Sequence, residues 1–200
     1  MKKSLQIGQV KFSNPFILAP LAGYTDKTMR TLCEEQGASL TFTEMVSGKG
    51  LKYGDRKSRK LLELTDSEQI AGAAATAAAG SPGMTGLTDA TGAVGIAGAC
   101  GYQLFGDDPQ VLYEAARQLS QEENAVLDLN CGCPVPKIVR NGEGSALLKK
   151  IDRLYDCVAA MVAGAQMGAG EAASTDAIYK LYREHLRISK DCGSKSGFDG

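Results

Sequence analysis

Strand-like and helix-like segments alternate along this chain, which predicts an α/β fold: a parallel sheet with helices packed over it. Three observations carry that expectation. Short runs rich in β-branched, aromatic and aliphatic residues recur at 16–20, 39–43, 101–105 and 125–129. Segments with capping residues and apolar positions three and four apart lie between or after them. The 200 residues suffice for one sizeable core.

Phe16-Ile17-Leu18-Ala19-Pro20 is an apolar run closed by proline and reads as a first, buried strand. Asp26 can cap a helix on which Met29, Leu32 and Cys33 share a face, until Gly37 stops the pattern. Ser39 to Thr43 is the second strand and Gly101 to Phe105 the third. Asp108 then places a capping side chain before Pro109, and Leu112, Ala115, Ala116 and Leu119 line one face of the helix that follows. Ala125 to Leu129 is the fourth strand. A helix over 147–162 carries Leu147, Leu148, Ile151, Leu154, Val158 and Met161 as its apolar stripe.

Two stretches interrupt this rhythm. Residues 71–100 are dominated by alanine and glycine; such side chains bury little apolar surface, so a loosely attached insertion is expected there. Residues 164–175 read as a linker to a last helix, from 176 to about 190. On that helix Lys180, Arg183, Arg187 and Lys190 share one arc, and Ile178, Leu181, Tyr182, His185 and Ile188 lie opposite. The expected organisation is 1–163, a linker at 164–175, and a further unit beginning at 176–200.

The net charge of −1 does not announce a nucleic-acid partner, so any such binding must come from local basic patches. No apolar run has the length of a signal peptide or a membrane span, and a cytoplasmic protein without a membrane partner is expected. The six cysteines are then reduced thiols. Cys131 and Cys133 could suggest a metal, but one histidine and no second spaced cysteine pair argue against zinc.

The richest segment is Leu127-Asp128-Leu129-Asn130-Cys131-Gly132-Cys133-Pro134-Val135-Pro136-Lys137. It begins as a strand and ends in a tight turn at the strand's C-terminal end, where parallel α/β folds carry their reacting groups. Asn141-Gly142-Glu143-Gly144-Ser145-Ala146-Leu147-Leu148 follows as a glycine-rich turn into a helix. Together these two blocks resemble the active-site signature of the tRNA-dihydrouridine synthases, flavin-dependent reductases of uridine in tRNA. Leu18 to Asp26, Phe42 to Ser47 and Tyr102 to Pro109 are similar to three further blocks of that family, in the same order.

That resemblance implies the N-terminal half of a TIM (β/α)8 barrel, followed by the start of a helical tRNA-binding domain at 176–200. It implies FMN as cofactor, with Pro20, Leu21 and Ala22 lying against it and Gln103 hydrogen-bonded to its ring. Cys133 matches the catalytic cysteine and Asn130 an asparagine near the substrate base. NADPH would be the reductant and tRNA the partner. The residue types suit the chemistry: an ordinary thiol, with a pKa of about 8.5, is protonated at neutral pH and can act as general acid. Lys49, Lys52, Arg56, Lys57, Arg59 and Lys60 follow the second strand, where RNA phosphates would need neutralising charge.

The pattern departs from the family after Val162. The expected fifth strand is replaced by Ala163-Gly164-Ala165-Gln166-Met167-Gly168, and a whole barrel takes about 250 residues. A barrel lacking its second half is therefore expected, with unpaired sheet edges that invite self-association and weakened flavin binding. Its sheet order should be 1-2-3-4, with Pro20, Glu44, Gln103 and Asn130 at one end. Two other functions fit such a chain: a non-catalytic half-barrel that binds RNA or a partner protein, or another flavin barrel reductase acting on a small molecule.

Overall fold

The computed structural model describes residues 5–7, 10–80, 98–122, 124 and 126–168. The expectations for 81–97 and for residues beyond 168 fall outside the described residues. In chain order the strands are β1 (Leu5–Ile7), β2 (Val10–Phe12), β3 (Leu40–Phe42), β4 (Val46–Ser47), β5 (Ala99–Phe105) and β6 (Val126–Leu129). The helices are α1 (Lys27–Glu35), α2 (Gly48–Lys52), α3 (Arg56–Lys60), α4 (Asp66–Gly80), α5 (Pro109–Leu119), α6 (Pro136–Arg140) and α7 (Ile151–Gly168). A 3-10 turn over Gly144–Lys149 precedes α7.

β5 is the central strand. On one side it pairs parallel with β3, Phe42 opposite Gly101, and with β4, Val46 opposite Leu104. Four residue steps on that side match three on β5, so the second strand bulges between Phe42 and Val46 and splits into β3 and β4. On its other side β5 pairs parallel with β6, Gly101 opposite Val126 and Leu104 opposite Leu129. Ile17 bridges Leu40 in parallel. The spatial order is the expected 1-2-3-4. The architecture is α/β with a parallel sheet, consistent with part of a (β/α)8 barrel.

The first strand is shorter than the sequence suggests. Only Ile17 pairs, flanked by Ser39 N donating to Phe16 O and Leu18 N to Leu40 O. Pro15 and Pro20 bracket the segment, and neither has an N–H to extend the ladder. Phe16 is 71% exposed, where a buried strand was expected.

The alanine-rich stretch differs more. Its first ten residues continue α4, and β5 begins inside its far end, at Ala99. Thr65 and Glu68 form a capping box: Glu68 N donates to the Thr65 hydroxyl at 3.1 Å, and Thr65 N to the Glu68 carboxylate at 2.7 Å. Alanine is the strongest helix former because it gives up no side-chain entropy, so a capped alanine run needs little packing. The composition that argued for a loose insertion therefore also favours a helix.

Two core clusters flank the sheet. Cys100, Tyr102 and Leu104 pack with Leu112, Ala115, Ala116 and Leu119 of α5 and with Cys157 and Met161 of α7. On the other side, Phe12 of the β1–β2 hairpin packs with Leu40, Phe42 and Ala99. The hairpin was not anticipated. Its signal was the alternation of apolar residues on either side of Gly8-Gln9.

The last helical region is also rephased. Lys150 breaks the helix between the 3-10 turn and α7, so Leu147 is buried while Leu148, Ile151 and Val158 of the expected stripe are exposed. α7 buries Met161 as expected and packs Leu154 against the core, but the rest of its buried face is Cys157, Ala163 and Gly164. It runs through Gly168, five residues into the expected linker. The small residues there serve close packing. A methyl at Gly164 would overlap the Tyr113 carbonyl of α5 and stand 3.1 Å from Arg117 N. Gly164→Val is therefore expected to cost about 1–3 kcal/mol by overpacking, lowering the midpoint by roughly 2–12 °C in a thermal melt. An unchanged midpoint would show that the helices can part there at no cost.

Among the described residues no helix is long and apolar enough to cross a membrane.

Candidate active site

Parallel strands bring their C-terminal ends to one edge, and the register sets which side chains share a level there. Gln103 lies opposite Asp128, and Asn130 follows directly after β6. Side chains alternate along a strand. Since Tyr102 and Leu104 face α5, Gln103 faces away from it, as does Asp128 between Leu127 and Leu129. Gly101, two residues before Gln103, has no room for a side chain: its Cβ would overlap the Phe42 ring. Gln103 itself is only 7% exposed, although its amide is polar at both ends.

That amide is held on both sides. Gln103 Nε2 donates to Asp128 Oδ2 at 2.6 Å, and Gln103 Oε1 accepts from Asn130 Nδ2 at 3.0 Å. Asn130 Oδ1 then accepts from the backbone N–H of Cys133 at 2.9 Å and of Gly132 at 3.2 Å. Cys133 O accepts from Ser145 N at 3.0 Å, which ties the turn to the start of the 3-10 segment. Gly144, at φ +60°, makes that approach possible, because a Cβ there would lie 2.7 Å from Cys133 O. Three residues singled out in the sequence, Gln103, Asn130 and Cys133, thus form one connected group. Cys133 is half-buried at its end.

Cys131 points the other way. It packs against the core shared by Leu127 and Leu129. Burial pushes its thiol above the ordinary range, and the Asp128 carboxylate adds to the effect.

Pro20, Leu21 and Ala22 reach the same edge by a different route. Tyr24 N and Thr25 N both donate to Leu21 O at 3.0 Å, closing a turn, and Leu21 N donates to the Thr25 hydroxyl. Gly23 N donates to the Glu44 carboxylate beyond β3. The neighbouring Met45 Sδ lies 3.5 Å from Asn130 Nδ2, so the bulged second strand links this turn to the Cys133 group. Leu21 is 56% exposed at the open end.

The basic segment divides in two. Lys49 pairs with Asp107 at 3.3 Å and Glu143 at 3.7 Å, Lys52 with Glu114 at 3.2 Å, and Arg59 with Glu122 at 2.6 Å. Burial pushes the Glu143 carboxyl up, with Lys49 opposing it. Arg56, Lys57 and Lys60 form no ion pair among the described residues.

One buried element was missed in the sequence. α1 exposes Met29 and Leu32, the face expected to be buried, and buries Arg30 at 2% exposure. Arg30 Nε donates to Glu68 Oε1 at 2.6 Å and Nη2 to Oε2 at 3.0 Å, while Nη1 donates to Thr25 O and Nη2 to Glu63 O. Arg30 therefore anchors the far end of the Leu21–Thr25 turn. The capping box at Thr65-x-x-Glu68 was the available signal for Glu68; nothing local marks Arg30.

Comparison with known proteins adds to this geometry. A family model described as Dihydrouridine synthase (Dus) matches residues 17–167. A probable tRNA-dihydrouridine synthase of Treponema pallidum (strain Nichols) is 28% identical over 158 residues, which is 78% of this chain and 38% of that protein. The tRNA-dihydrouridine synthase B of Escherichia coli (strain K12) is 32% identical over 148 residues, 74% of this chain and 37% of that protein. The tRNA-dihydrouridine synthase B of Shewanella oneidensis is 29% identical over 195 residues, 96% of this chain and 51% of that protein. The chain thus spans between about two fifths and half the length of these relatives.

Proposed function

The chain belongs to the dihydrouridine synthase family, and on that premise we propose that it serves the FMN-dependent reduction of the C5–C6 double bond of uridine in tRNA. The observation that carries this reading is the Cys133 turn, held by Asn130 and Ser145 at the sheet edge that also carries Gln103. Neither the non-catalytic half-barrel nor a small-molecule reductase is favoured by the relatives.

The side chains suit a flavin ring. With one N–H on Asp128 and one lone pair on Asn130, the Gln103 amide keeps one donor and one acceptor. The edge of an isoalloxazine demands that mixture. Pro20, Leu21 and Ala22 offer apolar surface for its face. When bound in its reduced form, FMN supplies the hydride for one carbon of the double bond. Cys133 holds the proton for the other carbon as general acid. Asn130 is committed on both sides, Oδ1 to Gly132 N and Cys133 N and Nδ2 to Gln103 and Met45. Its first task is to place Cys133, and a base reaching it would have to replace one of these bonds. Arg56, Lys57 and Lys60 remain for the phosphates of tRNA, and NADPH is the reductant that the family resemblance suggests.

The test is purified protein supplied with FMN, NADPH and unmodified tRNA, with dihydrouridine read by mass spectrometry of the digested nucleosides. Dihydrouridine above the no-enzyme control is expected. A flavin-loaded protein that reduced free pyrimidines and left tRNA untouched would refute the reading.

A further inference from the structure

Asp128 has no part in the chemistry so far, yet it begins the hydrogen-bond chain that ends on Cys133. Its surroundings restrict what that chain can do. An ionised carboxylate only accepts hydrogen bonds, so the end of Gln103 at 2.6 Å from Asp128 Oδ2 must be the NH2 group. The carbonyl of Gln103 is then the end facing Asn130, which must donate through its own NH2. Asn130 is left with its oxygen towards Gly132 N and Cys133 N, two groups that can only donate. Acceptor and donor thus alternate without conflict over Asp128, Gln103, Asn130 and the turn.

We infer that Asp128 is a positioning residue: it sets the direction of the Gln103 amide and thereby the orientation of Asn130 and the Cys133 turn. Gln103 is too buried for water to take over freely as its acceptor. Without an acceptor at position 128, the NH2 end is unpaired and nothing there holds the amide against rotation; each time it turns over, the carbonyl that receives Asn130 is replaced by a second donor. Buried donors facing each other are costly, so Asn130 must swing and the turn loses its anchor. The inference rests on the proposed role of the Cys133 turn, but its test needs neither flavin nor tRNA.

The test exchanges the polarity of one link in the full chain. Gln103→Glu puts two carboxylates at hydrogen-bond distance, and at neutral pH they repel. Combining it with Asp128→Asn restores a donor facing an acceptor and leaves an oxygen for Asn130. The readout is the hydrogen-exchange protection of the Gly132 and Cys133 amides by NMR, relative to those of α5. Gln103→Glu alone should lower protection at these two amides about tenfold, the worth of one charge-assisted hydrogen bond. The defect should be relieved on acidification, when the carboxylates share a proton. Asp128→Asn alone should change little, since its amide carbonyl still accepts, and Asp128→Leu should resemble Gln103→Glu. The double variant should return to the wild-type value. If Gln103→Glu does not fold, the double variant and Asp128→Leu still decide. A double variant with unprotected Gly132 and Cys133 amides, or Asp128→Leu with wild-type protection there, overturns the inference. Failure of the tRNA reduction assay with native behaviour here would remove the proposed function and leave the positioning intact.

Discussion

Cys133→Ala is expected to lower dihydrouridine formation by about 10²–10⁴-fold, the usual contribution of a general acid, while flavin absorbance stays intact. The geometry makes the substitution clean. Both backbone groups of Cys133 are already bonded, N to Asn130 and O to Ser145, and neither bond involves the sulfur. Alanine keeps the turn and removes only the thiol proposed as proton donor. Cys131→Ala is the control. Its sulfur packs into the core near Leu129, so its loss should appear in stability and far less in turnover. Single-turnover reduction of tRNA by each variant, with the flavin spectrum recorded beside it, separates the two effects. Equal losses of turnover, or unfolding of Cys133→Ala, would remove the catalytic assignment.

The largest effect on stability should come from Arg30→Met. Arg30 and Glu68 are 2% and 0% exposed, and removing the cation leaves a buried carboxylate with no charge partner. Breaking such a pair costs about 3–5 kcal/mol, a large share of the roughly 5–15 kcal/mol that holds a domain folded. Arg30→Met combined with Glu68→Leu should cost clearly less than Arg30→Met alone, since no lone charge remains. Urea midpoints of the wild type, Arg30→Met, Glu68→Leu and the double variant test this. A double variant as unstable as the sum of both single ones would mean that the pair does not act as a unit.

The same cluster gives stability a pH dependence. Burial, then the adjoining Glu68, raises the Glu34 carboxyl to about 7. Burial alone would raise Glu68 as well, but Arg30 and the Thr65 N–H outweigh it and hold that carboxyl low. The folded chain therefore keeps a proton on Glu34 between its ordinary value of 4.5 and about 7. Where the folded state binds the extra proton, stability falls as pH rises. Glu68 acts in the opposite sense, with its contribution present at neutral pH and lost on acidification. Unfolding followed from pH 5 to 8 should thus show a decline that Glu34→Gln flattens.

Much of this molecule was legible locally. Asp26 caps α1 through Met29 N, and Asp108 caps α5 through Gln110 and Val111, as their positions in the sequence suggest. The placing of Gln103, Asn130 and Cys133 at one edge came from the family resemblance, whereas the α/β alternation and the turn after β6 were read from the residues. Such signals are read from a few neighbouring residues because caps, turns and periodicity act within one turn of chain. The alanine-rich segment misled because one composition supports two readings. Small side chains bury little, and they also favour a helix once Thr65 and Glu68 start it.

The sequence by itself determined the parallel strands, their order and the capped helices α1 and α5, while the β1–β2 hairpin and α4 escaped it. The α5 face at Leu112, Ala115, Ala116 and Leu119 is the one periodicity gave; tertiary structure decided which faces of α1 and α7 are buried and which polar groups distant in sequence bond. Periodicity placed Met29 and Leu32 inside, yet Arg30 is inside, because Glu68 waits 38 residues along the chain with Thr25 O and Glu63 O beside it. Leu148, Ile151 and Val158 of the expected stripe turned outward, while Leu147, Leu154 and Met161 stayed with the core, because one non-helical residue, Lys150, reset the phase between Leu147 and Ile151. Asp128 looks like any strand residue until the register sets it opposite Gln103. Burial and hydrogen-bond direction depend on partners distant in sequence, and no local pattern encodes a partner that only folding brings near.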